Sequence, residues 1–92
     1  MNNDQKIQIR VPDEVAKALY SNVIEIRHSK EEFCLDFLSV FPPTGVMVSR
    51  VVVSPGHLKR MIKALEINLQ KYESQFGSIE EAGNLDGPKI GF

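Results

Sequence analysis

Between Ser54 and Gly77 the apolar residues Leu58, Met61, Ile62, Leu65, Leu69, Tyr72 and Phe76 recur at spacings of three and four. That interval carries side chains to one side of an α-helix, so the segment predicts a single unbroken stripe about five turns long at 3.6 residues each. Ser54 suits an N-cap, and Pro55 suits the first helical position, where its missing N–H leaves no bond unmade. Gly77 supplies the C-terminal stop, with Ile79 placed to fold back on the last turn. A helix of this kind needs an apolar surface to lie against. The chain has 92 residues, 42% hydrophobic and 25% charged, a globular composition at or just below the usual size of one domain.

The remaining apolar residues alternate as strands do. Ile7, Ile9 and Val11 alternate with Gln8 and Arg10, which predicts a half-buried strand ended by Pro12. Asp13 to Leu19 has good helix formers but is too short to stand alone, and reads as one turn or a bulge. Tyr20 to His28, Glu31 to Phe41 and Val46 to Val53 predict three further strands. Ser29-Lys30 is a candidate two-residue turn between the first pair, and Pro42 to Gly45 closes the second. Placing His28 opposite Glu31 sets Ile26 against Phe33, Ile24 against Leu35 and Asn22 against Phe37. Extending that face across the Pro-Pro loop requires Phe41 opposite Met47, Phe37 opposite Val51 and Leu35 opposite Val53. The expected architecture is α+β: an antiparallel meander of three to four strands, followed by one long C-terminal helix packed on one sheet face. It forms a single domain over residues 1–79. Residues 80–92, rich in glycine and acidic side chains, are expected to be a flexible tail.

One helix covers one face of a sheet, and in this register Val23, Cys34, Leu38, Val40, Val48 and Val52 point the other way. Soluble monomers rarely expose a contiguous apolar patch of more than a few hundred Å². The expected cover is a second copy across a two-fold axis, as a homodimer or higher homo-oligomer. The alternative is that Asp13–Leu19 or the tail folds back over this face. If association leaves a strip open, that strip becomes a groove for extended apolar polypeptide. On the same face Arg27 is expected opposite Glu32, and Asp36 diagonal to Arg50, so that the charges pair within the sheet.

Tyr20-Ser21-Asn22, Glu32-Phe33, Asp36-Phe37, Arg50-Val51, Ser54-Pro55, His57, Asn68, Tyr72-Glu73 and Phe76-Gly77 together resemble the pattern of a bacterial and archaeal domain family of unknown function, number 3467, over roughly positions 18 to 79. The resemblance implies a fold and little chemistry. Strands followed by a long helix are also similar in layout to the SecB export chaperone, a tetramer that holds unfolded chains. The SecB fold has a second C-terminal helix that this sequence does not supply, so the likeness is one of layout.

Catalytic chemistry is hard to assemble from these residues. With the single cysteine, Cys34, and two distant histidines, the sequence contains neither an intrachain disulfide nor a zinc-ligand spacing. Cys34 is expected opposite Glu25, whose charge opposes a thiolate, and so reads as a small apolar interface residue. Asp36 and Glu32 read as paired structural charges rather than an acid–base pair. No cofactor is implied, and the reading is non-enzymatic. His57, Lys59, Arg60 and Lys63 crowd the start of the long helix, where the dipole disfavours cations, and form the one candidate for anion or nucleic-acid binding. No glycine-rich loop or aromatic platform accompanies them, and the net charge of -1 offers no general attraction to polyanions. Asn68 interrupts the stripe and is expected in a buried polar network with Asn22 or Tyr20. A polar N-terminus and the lack of any long apolar run point to a cytosolic protein without membrane attachment. The working expectation is a homo-oligomeric protein-binding or scaffolding module, with nucleic acid as the less favoured partner.

Overall fold

The computed structural model describes residues 5–81. The chain divides into two compact units, one built on a sheet and ending at Ser54, the other beginning at Pro55. The order of elements is α1 (Asp13–Ala16), β1 (Val23–His28), β2 (Phe33–Phe41), β3 (Thr44–Val53) and α2 (Pro55–Phe76). Three antiparallel strands in the order β1-β2-β3 make one sheet, with β2 in the middle and β1 and β3 at its edges. This is the α+β layout that the alternating and helical periods imply.

The segment from Ile7 to Val11 departs from its alternation. It forms no strand, and Ile7, Ile9 and Val11 are all exposed. Alternation makes a strand only where a neighbouring edge supplies hydrogen bonds, and no described residue pairs with this segment. The ambiguous stretch after Pro12 resolves as one helical turn, in which the Pro12 carbonyl accepts from the Val15 and Ala16 amides at 3.0 Å each.

Both hairpins close differently from the turn-based expectation. β1 and β2 pair from Val23↔Leu38 to His28↔Phe33, two residues away from the expected register. The turn is therefore the four residues Ser29 to Glu32 rather than Ser29-Lys30. The Ser29 amide donates to the Glu32 carbonyl at 2.9 Å, and Ser29 Oγ accepts from the Glu31 amide at 3.2 Å. β2 and β3 meet in a tighter turn than expected. Phe41 faces Thr44 across Pro42-Pro43, whose peptide bond is cis. From there the pairing runs to Leu38↔Met47, then skips one residue of β3 and continues as Phe37↔Ser49, Leu35↔Val51 and Phe33↔Val53. The skipped residue is Val48, a β-bulge.

A register error of two preserves which face each side chain occupies, because the side-chain period is two. The face carrying Ile24, Ile26, Phe33, Leu35, Phe37, Val51 and Val53 therefore survives. The bulge changes the phase: Met47 joins the Leu38 face instead of facing Phe41.

The start of β1 is tied down by side chains that stand in for backbone. The Asn22 amide group donates to the Val40 carbonyl at 2.9 Å, and its carbonyl oxygen accepts from the Val40 N–H at 2.8 Å. This reproduces a pair of ladder bonds one residue before the strand begins. Ser21 Oγ donates to the Leu38 carbonyl at 3.0 Å, and the Asn22 N–H donates to that carbonyl at 3.0 Å. Tyr20 stacks on Phe41 with ring centroids 6.2 Å apart.

In the second unit, α2 is 22 residues long with no buried residue. Gly77 ends it at φ +94, where an L side chain would be strained, and its N–H donates to the Glu73 carbonyl at 2.8 Å. Glu73 Oε2 accepts the Ile79 N–H at 2.9 Å, which returns the chain toward the last turn. The expected tail lies, after Glu81, outside the described residues.

Replacing Asn22 by alanine removes both Val40 bonds. It is expected to destabilise the sheet by about 1 kcal/mol, since each bond nets roughly that much and the site is exposed. Urea unfolding followed by circular dichroism measures it, and an unchanged midpoint contradicts the role given to the side chain.

Candidate functional site: the charged row and its apolar flanks

The face of the sheet opposite Leu35 is built in rows of three across the strands. From the Pro-Pro turn outward these are Val23–Leu38–Met47, Glu25–Asp36–Arg50 and Arg27–Cys34–Val52. Val40 extends the first row toward the turn. Of the residues expected to form an interface here, Val23, Cys34, Leu38, Val40 and Val52 do share this face. Val48 does not. As the bulge residue it lines an open cleft of about 350 Å³ with Phe37, Ser49 and the Glu14–Ser21 segment, on the side of Leu35. The segment proposed as an alternative cover for the Leu38 face thus flanks the other one.

The middle row is polar, and Asp36 is its centre at 0% exposure. Three donors converge on its carboxylate. Arg50 holds both oxygens, Nε to Oδ1 at 2.6 Å and Nη2 to Oδ2 at 3.0 Å. Arg27 Nη2 reaches Oδ2 at 2.8 Å from the other edge strand. Cys34 Sγ donates to Oδ1 at 3.5 Å and lies 4.0 Å from Arg27 Nη2. A buried carboxylate must be paired and hydrogen-bonded to be tolerated, and the two-pronged arginine geometry is the strong form of that pairing. The Arg50 hydrogen bonds hold the carboxyl of Asp36 below its ordinary value, outweighing the burial that pushes it up. Cys34 and the charges of both guanidiniums add to the lowering. The same pair raises Arg50.

Three sequence expectations change here. Arg27 pairs with Asp36 rather than Glu32, and Cys34 stands opposite Arg27 rather than Glu25. Arg50 faces Asp36 directly instead of diagonally. The first two follow from the two-residue shift between β1 and β2, and the third from the tighter Pro42-Pro43 turn and the bulge after it. The row also divides the apolar surface: Val23, Leu38, Val40 and Met47 lie on one side of it, Cys34 and Val52 on the other.

On α2, His57, Lys59, Arg60 and Lys63 are exposed. At about 100° per residue, Arg60 and Lys63 fall on the side opposite the apolar stripe, and Lys59 lies at its flank. Arg60 Nη1 would sit 3.6 Å from a β-carbon placed on Gly56, so its head lies over the first turn. Asn68 belongs to no buried network. Its Nδ2 donates to the Ala64 carbonyl one turn back, at 2.9 Å, a local bond that the amide side chain makes in preference to a distant one. Among the described residues no group of histidine, cysteine and carboxylate side chains could hold a metal ion, and no helix is long and apolar enough to cross a membrane.

Because the carboxyl of Asp36 is lowered in the folded chain, its ionisation contributes stability that is complete above the ordinary value near 3.8 and is lost as pH falls through the lowered one. Asp36→Asn is expected to unfold more easily at pH 7. Its stability is also expected to vary less than that of the parent chain below about pH 4. Chemical unfolding at a series of pH values reads both effects, and parallel pH profiles contradict the assignment.

No curated protein and no solved structure is detectably similar to this chain. The model of one family does match, over residues 1–81, most of the sequence: the chain belongs to the family described as "Protein of unknown function (DUF3467)".

Proposed function

We propose that this protein is a non-enzymatic, homo-oligomeric interaction module, whose exposed apolar surfaces are covered by further copies of itself and by apolar stretches of protein partners. One observation carries the reading. Among the described residues only Leu35 and Leu38, at 2% and 5% exposure, are buried hydrophobic side chains, while Ile24, Ile26, Val51 and Val52 on the sheet and Ile62, Leu65, Leu69, Tyr72 and Phe76 on α2 are exposed.

Two buried leucines are a small core. Burial of apolar area supplies roughly 25 cal/mol per Å², against a backbone ordering cost of about 1–2 kcal/mol per residue. Small domains make up that shortfall with disulfides, metals or association. The sequence has one cysteine, which excludes an intrachain disulfide. Association supplies the missing burial, and apolar patches of this extent are typical of protein–protein contact surfaces. The polar row Glu25–Asp36–Arg50 gives such a contact its orientation, because a partner must meet the charges with charges or leave them at the rim.

Sedimentation velocity across the micromolar range is expected to give a mass that is a multiple of the chain mass. A single species of chain mass at every concentration overturns the proposal. Val52→Glu, a change at an exposed position, is expected to weaken association at least about tenfold while the circular dichroism spectrum is retained, as burying an unpaired charge is costly.

A further inference from the structure

The apolar stripe of α2 has a stricter period than an amphipathic helix needs. Leu58, Ile62, Leu65, Leu69, Tyr72 and Phe76 are separated by four, three, four, three and four residues. That is the alternation of a two-stranded coiled-coil seam. Ile62, Leu69 and Phe76 take the a positions, and Leu58, Leu65 and Tyr72 the d positions. Leu65, in the middle of the seam, is 62% exposed, and Tyr72 and Phe76 touch each other, with centroids 5.0 Å apart.

Resting on the oligomeric reading above, we propose that the partner of this seam is the α2 helix of a second copy, running antiparallel to the first. The argument is one of complementarity. In an antiparallel pair each a residue packs against a d residue. A two-fold axis beside residue 67 then sets Ile62 against the second copy's Tyr72, Leu65 against its Leu69, and Phe76 against its Leu58. All six seam positions find a partner, with each aromatic ring against an aliphatic side chain. A parallel pair would instead stack Tyr72 on Tyr72 and Phe76 on Phe76 at one end.

The flanking charges favour the same direction. The e positions are Lys59, Glu66 and Glu73, and the g positions are Met61, Asn68 and Gln75. Antiparallel helices bring e beside e, so Lys59 of each copy meets Glu73 of the other and two opposite-charge pairs form. Their cost is one Glu66–Glu66 contact at the axis. On the other flank Asn68 meets Asn68, two amides able to bond each other. A parallel pair brings g beside e, matching Met61 with Glu66 and Asn68 with Glu73, and gains no ion pair. The basic residues Arg60 and Lys63 lie away from the seam and do not oppose it.

Charge reversal with rescue tests this in the full chain. Lys59→Glu and Glu73→Lys, each alone, place like charges together twice per dimer. Each is expected to weaken association about tenfold, and the double variant to recover most of it. Lys59 and Glu73 are about 21 Å apart along one helix, so recovery cannot come from within a single copy. Glu66→Gln, which relieves the repulsion at the axis, is expected to tighten the dimer. As a measurement independent of affinity, Asn68→Cys in a Cys34→Ser background is expected to cross-link two copies under mild oxidation, whereas Ser74→Cys, on the outer side, is not. Absence of rescue together with absence of the Asn68→Cys cross-link, in a protein that still sediments as an oligomer, overturns the helix pairing and leaves association to another surface. A protein of chain mass throughout overturns both readings.

Discussion

A carboxylate without access to water lies at the middle of the central strand, and the sheet is organised around keeping it ionised. Asp36 is fully buried, and each edge strand sends one arginine to it: Arg27 from β1 and Arg50 from β3. Removing either guanidinium leaves a buried charge under-compensated, a larger loss than the worth of the pair itself. The pairing therefore constrains both hairpins at once. Sliding β1 by two residues would take Arg27 away from Oδ2, and sliding β3 would break the two-pronged hold of Arg50. The hydrophobic pattern selects which side of each strand faces in, and the charge selects the register among those that share that parity.

That division of labour explains what could be read from the sequence. The bounds of α2 were legible because Ser54, Pro55 and Gly77 each have a conformational reason to stand where they do, and because a stripe of seven residues has no competing period. The three strands were legible for the same reason. Their registers were not, since a two-residue turn at Ser29-Lys30 and a longer turn at Pro42 looked chemically reasonable; the first is off by two, the second by three at the turn and by two beyond the bulge. Away from the Thr44–Val48 end of β3, where the bulge exchanges them, the faces came out correctly and the individual partners did not, so Asp36 with Arg50 was visible as a neighbourhood while Arg27 was assigned to Glu32. Val48 was out of reach: a bulge leaves no mark in a run such as Val46-Met47-Val48. Ile7 to Val11 shows the converse. It has the period of a strand, and no described residue offers it an edge.

Of the surface residues singled out, five of the six expected on one face of the sheet are there, and the charged row that crosses between them was underestimated. A face read as continuous is two apolar patches with Glu25, Asp36 and Arg50 between them. Such a surface differs from a uniformly greasy one in what it accepts. Apolar area gives affinity with little regard to orientation, whereas a fixed band of charge penalises every docking angle but a few. With Leu35 and Leu38 as the buried hydrophobic residues, stability and association would be linked, and the apparent stability of the chain would depend on its concentration.

β3 is the longest strand, and among the described residues it has a neighbour on one side only. Proteins usually blunt such a margin with a lysine, a proline, an outward charge or a bulge. Thr44 to Val53 contains neither proline nor lysine, and its one charge, Arg50, is spent on Asp36. The row of amides and carbonyls along that margin is consequently a template for an incoming strand, interrupted within its own sequence by the bulge at Val48. A partner strand laid along that margin would close the template and, with it, the route by which such sheets extend from molecule to molecule.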